Sequence, residues 1–363
     1  MAYTNIDDPS AHHQTKLYTG TGASHNITND GNSDLQPDWV WIKRYSSGGN
    51  YSHAHFDSTR GSTKRFYWPG TAVQDNNAQY ITSFNTDGFT AGTDANINES
   101  NLGYVAWQWK AGGGSVANNT DGNITSSVQA NPDAGFSIVT YTGQGTQTGK
   151  TVGHGLNSAP KMIISKDTGN NSNVITWRVY HAGVGPTKYM TFAATDAVST
   201  YNDWDNTAPT ASVYSVGGAG GYTPTNTNNA NYQAFVFADV QGYSKFGKYV
   251  SNGNSNGNGP FVYTGFKPAW IMVKNASRAG YSWSIIDNQR DAFNEVDNGL
   301  QGNSAAPESS TSADYGCDFL SNGFKVRAVN TGYLGGVSGD TMIYMAFAEN
   351  PFVTSTGVPT TAR

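Results

Sequence analysis

Three segments of the sequence carry a tyrosine, a proline and a lysine at the same separations. In each segment the proline lies nineteen residues after the tyrosine, and the lysine lies six residues after the proline. Chance does not easily preserve two separations three times, so the sequence predicts three copies of one structural unit. The residues are Tyr18, Pro37 and Lys43, then Tyr141, Pro160 and Lys166, then Tyr249, Pro268 and Lys274.

The residues that follow each proline alternate as in a β-strand. Trp39 and Trp41 alternate with Val40 and Ile42, which places aromatic rings on one face of the strand and aliphatic side chains on the other. A proline at the start of a strand does little harm, because the N–H that it lacks is not needed there. We take nine positions as structural markers of the unit: Pro37, Trp39, Lys43, Pro160, Met162, Lys166, Pro268, Trp270 and Lys274.

The composition fits many short strands joined by tight turns. Of 363 residues 43 are glycine, 13% are aromatic and only 13% are charged. Aromatic residues supply apolar surface, and glycine supplies the positive φ angles that hairpin turns need. Asp87-Gly88 and Asn322-Gly323 are hairpin signals, and no segment has an amphipathic helical period. We expect an all-β fold of three tandem β-sandwich units, at residues 1–126, 127–240 and 241–363, with short helices at most.

The later part of each segment also aligns with the others. Asp57 and Arg60 in the first unit match Asp287 and Arg290 in the third, while the second unit has His181 in place of the aspartate. Each unit closes on an aromatic strand, which predicts that these strands occupy the same place in each unit. We align them by their tyrosines, as Tyr104-Val105-Ala106-Trp107, Tyr232-Gln233-Ala234-Phe235 and Tyr344-Met345-Ala346-Phe347.

Charge and hydropathy argue against several classes of protein. The net charge is -5, and no cluster of Lys and Arg could neutralise several phosphates, so nucleic-acid binding is not expected. No apolar run approaches the ~20 residues that span a bilayer, and the N-terminus lacks the pattern of a signal peptide. The single cysteine, Cys317, excludes an intrachain disulfide. We expect a protein made in a cytosol, without membrane insertion.

Four stretches carry a resemblance to a known family: residues 104–112, 140–143, 153–163 and 344–352. They resemble a repeat module of structural proteins from marine tailed bacteriophages, which infect cyanobacteria and other marine bacteria. The resemblance covers nearly the whole chain and implies a jelly-roll sandwich similar to concanavalin A-type lectins. It also implies a component of the virion, assembled in the cytoplasm of a bacterial host.

Two sets of charged residues could bind a ligand or could serve the fold. The Asp57–Arg60 and Asp287–Arg290 pairs could grip a ligand, but an ion pair that orders a turn after a strand explains their recurrence better. The three marker lysines could bind a carboxylate on a partner. We expect them instead to be solvated lysines that guard the end of a strand.

The histidines and the carboxylates give weak support for a metal. The histidines show no HxxxH, HExxH or Cys–His spacing, so no zinc site is expected. Loops rich in Asp and Asn, such as Asp94-Ala95-Asn96, suit a hard cation, but no EF-hand loop is present. Calcium is therefore the one cofactor left open. The histidines considered are His12, His13, His53, His55, His154 and His181.

Aromatic residues in the segments between the shared strands are candidates for glycan binding, because aromatic rings stack on sugar faces. The alternative is that these loops pack on their own unit or on a neighbouring subunit. The candidates are Tyr67, Trp68, Tyr201, Trp204 and Tyr214.

The sequence offers no motif for catalysis. It has no Gly-x-Ser-x-Gly elbow, and nothing in the spacing of the carboxylates selects a pair. The leading hypothesis is a non-enzymatic virion structural protein of tail-associated or fibre type, exposed on the particle and touching host surface glycans. The alternatives are a decoration or cement protein that stabilises the head and, more distantly, a polysaccharide depolymerase. The expected partners are other virion proteins and further copies of the chain, with a trimer favoured.

Overall fold

The computed structural model describes residues 2–68, 70, 72–169 and 177–360. Strands account for 41% of the residues and helices for 3%, which confirms the predicted all-β class. Among the described residues, no helix is long and apolar enough to cross a membrane. The helices are a 3-10 turn at Pro9–Ala11, α1 (Ala95–Asn98) and α2 (Ser312–Tyr315).

The strands fall into three consecutive groups, which we call the first, second and third unit. The first unit contains β1 (His13–Thr19), β2 (His25–Ile27), β3 (Trp39–Arg44), β4 (His53–Asp57), β5 (Lys64–Trp68), β6 (Asp75–Asn76), β7 (Ile81–Phe84), β8 (Phe89–Ala91) and β9 (Gly103–Trp109). The second contains β10 (Ala117–Asn119), β11 (Ser126–Asn131), β12 (Phe136–Thr142), β13 (Lys150–Gly153), β14 (Met162–Asp167), β15 (Arg178–His181), β16 (Lys188–Thr191), β17 (Ser199–Thr200), β18 (Val213–Val216) and β19 (Asn231–Phe237). The third contains β20 (Ser244–Val250), β21 (Phe261–Tyr263), β22 (Phe266–Asn275), β23 (Ser284–Asp287), β24 (Asn298–Gln301), β25 (Ser309–Ser310), β26 (Cys317–Leu320), β27 (Gly323–Val326) and β28 (Thr341–Pro351).

Each unit has a main antiparallel sheet, and the strands pair in the same order in all three. The order is β1-β9-β3-β4-β5-β6 in the first unit and β20-β28-β22-β23-β24-β25 in the third. In the second unit β12-β19-β14-β15-β16-β17 repeats this order, and β10 and β11 extend the sheet beyond β12. The second sheet therefore begins at Ala117, before residue 127.

A smaller sheet forms the outer layer of each unit. Its strands are β2-β8-β7 in the first unit, β13-β18 in the second and β21-β27-β26 in the third. A separate hydrophobic core fills the space between the two layers of each unit. In the first unit this core contains Val40 and Ile42, from the aliphatic face predicted for β3.

The opposite faces of the three main sheets meet in one shared core. Trp41 of the first unit, Ile164 of the second and Trp270 of the third are all buried in it. The aromatic face predicted for β3 therefore packs against the two other units instead of facing solvent. Aromatic pairs cross the boundaries: the rings of Trp39 and Phe235, for example, stack with centroids 4.4 Å apart.

The strand register supports the predicted equivalence of the proline segments. The residue two positions after each proline pairs with an aromatic residue of the closing strand on one side. On the other side it pairs with the aspartate or histidine that ends the next strand. These partners are Trp109 and Asp57 for Trp39, Phe237 and His181 for Met162, and Phe347 and Asp287 for Trp270.

The same register corrects the alignment of the third closing strand. Phe347 lies opposite Trp270 as Trp109 lies opposite Trp39, so Phe347 corresponds to Trp109 and not to Trp107. The predicted alignment is wrong by two residues. Because side chains alternate with a period of two, a slip of two residues keeps every side chain on its face, and the sequence pattern alone does not reveal it.

Two hairpin glycines lie where the outer sheet leaves no room for a side chain. Gly88 has a φ of +86°, and a Cβ there would lie 2.0 Å from the carbonyl oxygen of Ile27. A Cβ on Gly323, its counterpart in the third unit, would lie 2.1 Å from the carbonyl oxygen of Val262. The two hairpin signals of the sequence thus mark equivalent close approaches of backbone to backbone.

Replacing Gly88 by alanine should lower the free energy of unfolding by about 3 kcal/mol, because the change adds a clash to an unfavourable φ. Gly113→Ala is the matched control, since Gly113 also has a positive φ, of +66°, but faces open space. The control should lose about 1 kcal/mol. Urea denaturation of both variants tests this, and equal losses would contradict the role of the close approach.

Candidate functional site

The two aspartate–arginine pairs are buried and close the turn after an equivalent strand. Arg290 donates from Nε to Asp287 Oδ2 at 2.7 Å and from its backbone N–H to Oδ1 at 2.9 Å. Arg60 and Asp57 make the same two contacts, at 2.5 and 2.9 Å. Both carboxylates are fully buried. Trp107 also donates to Asp287 Oδ2, at 3.1 Å, so the third pair holds a tryptophan of the first unit. The geometry favours the structural interpretation of the pairs.

The second unit replaces the ion pair with a neutral histidine. His181 Nδ1 accepts from the backbone N–H of Gly183 at 3.0 Å, and Nε2 donates to the carbonyl oxygen of Tyr344 in the third unit at 3.2 Å. Burial lowers the pKa of His181 to about 4, so the ring is uncharged at neutral pH. A neutral ring needs no buried counter-charge, and Val184 stands where the other units have arginine.

Removing the Asp287 carboxylate should destabilise the protein strongly. Asp287→Ala leaves the Arg290 guanidinium buried without its nearest partner, a loss of about 3–5 kcal/mol in the free energy of unfolding. Asp30→Ala is the control, because the Asp30–Lys16 pair is exposed and such pairs contribute at most about 1 kcal/mol. Chemical denaturation at neutral pH measures both, and a loss under 1 kcal/mol for Asp287→Ala would contradict the assignment.

The three marker lysines are buried, and the prediction that they are solvated is wrong. Their residues are at most 1% exposed. Lys43 Nζ donates to the carbonyl oxygens of Tyr51 at 2.7 Å and of Ala305 at 2.8 Å. Burial lowers the pKa of Lys43 to about 7, and the pKa values of Lys166 and Lys274 to about 8. Each lysine is the penultimate residue of its strand, and for Lys43 and Lys274 a loop of another unit covers that end of the strand.

The lysine contacts pass from unit to unit in one direction. Lys43 of the first unit reaches Ala305 of the third, and Lys274 of the third reaches the carbonyl oxygen of Thr195 in the second at 3.5 Å. Ala305 and Thr195 are equivalent, since each lies four residues beyond the last residue of its paired strand. By the strand register Tyr67 corresponds to Thr191 and Gln301, so the corresponding position in the first unit is residue 71, outside the described residues. Two of the three marker lysines thus make equivalent contacts with a loop of another unit.

The histidines serve packing. His53 accepts from Trp41 Nε1 at 2.7 Å and donates through Nε2 to the carbonyl oxygen of Gln301 at 3.1 Å, while His55 lies among the tryptophans of the shared core. Burial lowers the pKa of both rings well below the usual value. Within the described residues, no group of three His, Cys, Asp or Glu is placed to hold a metal ion.

Burial removes three of the five glycan-stacking candidates from the reach of a sugar. Trp68, Trp204 and Tyr214 are at most 1% exposed. Trp68 lies on β5, Tyr214 lies on β18, and Trp204 lies in a loop beneath the second outer sheet. All three side chains therefore pack in the cores. Tyr67 and Tyr201 are half-buried, in different units, so the five residues do not form one surface. Glycan contact through these two tyrosines stays a prediction.

An exposed aromatic surface on the third unit was missed by the sequence analysis. Phe261 and Tyr263 flank the buried Val262 on β21 and are 45% and 56% exposed, and Phe293, in the segment after β23, is 83% exposed. The register makes Ile27 and Val152 the counterparts of Val262. The flanking residues are Asn26 and Thr28 in the first unit and Thr151 and Gly153 in the second. Comparing the aligned outer strands for apolar residues at outward positions could have found this surface.

A groove of about 510 Å³ lies beside Phe293, with Leu320, Val296 and Lys267 among its lining residues. Exposed apolar surface of this kind is typical of contacts with other proteins. The groove beside Phe293 and the exposed rings of β21 are thus the candidate contact surfaces of the chain, whereas the two Asp–Arg pairs, the three marker lysines and most of the histidines lie inside the fold.

A family model described as Domain of unknown function (DUF7483) matches residues 8–351. No curated protein and no solved structure matches the chain.

Proposed function

We propose that this chain, which belongs to the DUF7483 family, is a non-enzymatic structural component of a tailed-bacteriophage particle. It is exposed on the virion in a tail-associated or fibre-type position and assembles in the cytoplasm of the bacterial host. Its three units are diverged jelly-roll sandwiches similar to concanavalin A-type lectins. The family resemblance carried by residues 104–112, 140–143, 153–163 and 344–352 is the basis for the particle assignment.

One structural observation supports a shape-forming role above all others. Three main sheets with one strand order share a single core. The charged pairs that recur with them, Asp57–Arg60 and Asp287–Arg290, are buried ion pairs that stabilise the fold. A structural protein of a particle needs a rigid body and surfaces that contact its neighbours. The exposed rings of the third unit provide a surface for another virion protein.

A head decoration protein is the second candidate. Three equivalent units around one core give a single chain approximate threefold character, which suits a position where three capsid subunits meet. Such a protein would stabilise the head by adding buried area between those subunits. The number of copies per particle separates the candidates, since decoration needs hundreds of copies and a tail appendage needs tens at most.

Localisation on purified particles tests the proposal. Antibodies against the chain, conjugated to gold, should label the tail in electron micrographs, and quantitative mass spectrometry should count the copies. Labelling of the head at high copy number would select the decoration role. Absence of the protein from purified particles would overturn both, and release of reducing sugar from host polysaccharide by the purified protein would overturn its non-enzymatic character.

The assembly state is a further part of the proposal. We expect a homo-oligomer, with a trimer favoured by analogy with phage appendages. Light scattering of the purified protein across a range of concentrations measures this. A mass of one chain, 38.7 kDa, at every concentration would count against it.

A further inference from the structure

A polar cavity of about 330 Å³ lies between the first and second units, at the end of the second main sheet. Arg60, Lys64 and Gln74 of the first unit line one side, and Gln233 lines the other together with hydroxyl-bearing residues such as Thr140 and Thr168. The volume falls in the range of small-molecule sites. The lining is basic and rich in hydrogen-bonding groups.

Within the part of the chain that the structure describes, two buried side chains of this cavity have polar atoms without a partner. Arg60 Nη2 makes no hydrogen bond, although the side chain is only 6% exposed. Both amide atoms of Gln233 are also buried and unpaired. A buried polar atom without a partner costs about 1–3 kcal/mol, so these groups point to a ligand.

The third unit shows what satisfies the equivalent arginine. Arg290 Nη1 donates to the carboxylate of Glu308 at 2.8 Å, and Nη2 donates to the carbonyl oxygen of Ile285 at 3.3 Å. In the first unit Arg60 Nη1 meets only the neutral amide of Gln74, at 3.2 Å. Among the described residues, Arg290 thus has two carboxylate partners, while Arg60 has Asp57 alone.

The nearby carboxylates are engaged elsewhere. Asp75 pairs with Arg65 at 3.0 Å, and Asp167 accepts the backbone N–H of Gly169 at 2.7 Å. Among the described residues, no carboxylate lies within ion-pair distance of the Lys64 ammonium. The cavity therefore offers two cationic groups to one additional anion.

We propose that this cavity binds a sugar that carries a carboxylate, such as a uronic acid unit of an acidic polysaccharide. The guanidinium of Arg60 and the ammonium of Lys64 hold the carboxylate, and the Gln233 amide and the threonine hydroxyls bind the sugar hydroxyls. The inference rests on the proposed function for its biological role, because an outward-facing virion protein meets host polysaccharides.

Titration calorimetry on the intact chain tests the site, with digalacturonate, a neutral galactose disaccharide and inorganic phosphate as probes. Digalacturonate should bind, and Lys64→Gln and Gln233→Leu should each weaken that binding about tenfold or more. Lys161→Gln is the control, because Lys161 precedes β14 at the end away from Thr168. It should bind as the parent chain does. Thermal unfolding confirms that each variant folds.

Three results would overturn the inference: no binding of digalacturonate at millimolar concentration, unchanged binding by Lys64→Gln, or equal binding of inorganic phosphate or the neutral disaccharide. The test is independent of the particle assignment. If the antibodies label the particles but digalacturonate does not bind, this inference alone is overturned. If digalacturonate binds but the protein is absent from particles, the proposed function alone is overturned.

Discussion

Acidification from pH 6.5 to about 4 should unfold the protein, because several buried histidines remain neutral in the fold. Burial lowers the pKa of His154 and His181 to about 4 and that of His13 to about 3. The pKa values of His53 and His55 also lie well below the ordinary 6.5. Protonation would place a positive charge in the apolar interior or break the hydrogen bond that a ring nitrogen accepts.

The sign follows from proton binding. Stability rises with pH wherever the unfolded chain binds more protons than the folded chain. Between the lowered pKa values and 6.5, these histidines are protonated only in the unfolded chain, so stability falls as the pH falls. Each contributes about 1.4 kcal/mol per pH unit in this window. Three of them together approach about 4 kcal/mol per pH unit, against a typical total stability of about 5–15 kcal/mol.

Several carboxylates act in the opposite direction, because burial raises the pKa values of Asp38, Glu295 and Glu308 as well as that of Asp203. Burial raises the pKa of Asp203 to about 6 although Arg178 lies 3.5 Å away. The folded chain therefore binds its proton more tightly, and Asp203 favours the fold as the pH falls from about 6 to 4. Asp203 offsets about one histidine, while the lowered pKa values of Asp8 and Asp340 act with the five buried histidines, so we expect net acid unfolding.

Urea denaturation at pH values from 7.5 to 4.5 measures the effect. His55→Leu is an informative variant, because neither nitrogen of the His55 ring has a hydrogen-bond partner among the described residues. This variant should lose about 1.4 kcal/mol less per pH unit than the parent chain. A stability that does not change between pH 7.5 and 5 would contradict the prediction.

Truncation of Trp41 should destabilise all three units together. The ring is fully buried and stacks on Trp68 with centroids 5.4 Å apart. It also contacts the rings of Phe192 in the second unit and Trp270 in the third. Trp41→Ala should cost about 3–5 kcal/mol, the range for loss of a buried aromatic side chain.

The loss of stability should affect the outer core of every unit, because each main sheet has its inner face in the shared core. Hydrogen exchange of amides in β8, β18 and β27 should accelerate together. Phe293→Ser is the matched control, since it removes an aromatic ring that is 83% exposed and should change stability by no more than about 0.5 kcal/mol. Faster exchange confined to the first unit would show that the units unfold separately.

The sequence predicts much of the local structure and little of the packing between units. Alternation along β3 separates Trp39 and Trp41 from Val40 and Ile42, as the two cores confirm. Periodicity defines a face but not what the face packs against. Nothing in the alternation indicated that the aromatic face meets two other units.

The same limit explains the other corrections. A lysine at the end of a strand has the same sequence pattern whether solvent or a neighbouring loop covers it, so Lys43 gave no sign of its burial. Trp68 lies in a segment that differs between units, yet its Nε1 donates to the carbonyl oxygen of Phe192 in the second unit at 3.1 Å. The unpaired groups of Arg60 and Gln233 come together only through contact between two units, which the repeat pattern does not specify.

Because the three units belong to one polypeptide, their outer layers can differ in sequence. In an assembly of three identical chains, any substitution on the outside occurs three times. Here Phe261 and Tyr263 can give one side an adhesive surface while Asn26 and Thr28 keep another side polar. Mutations can thus change the outward side of each unit separately, without altering the aromatic interior that all three units share.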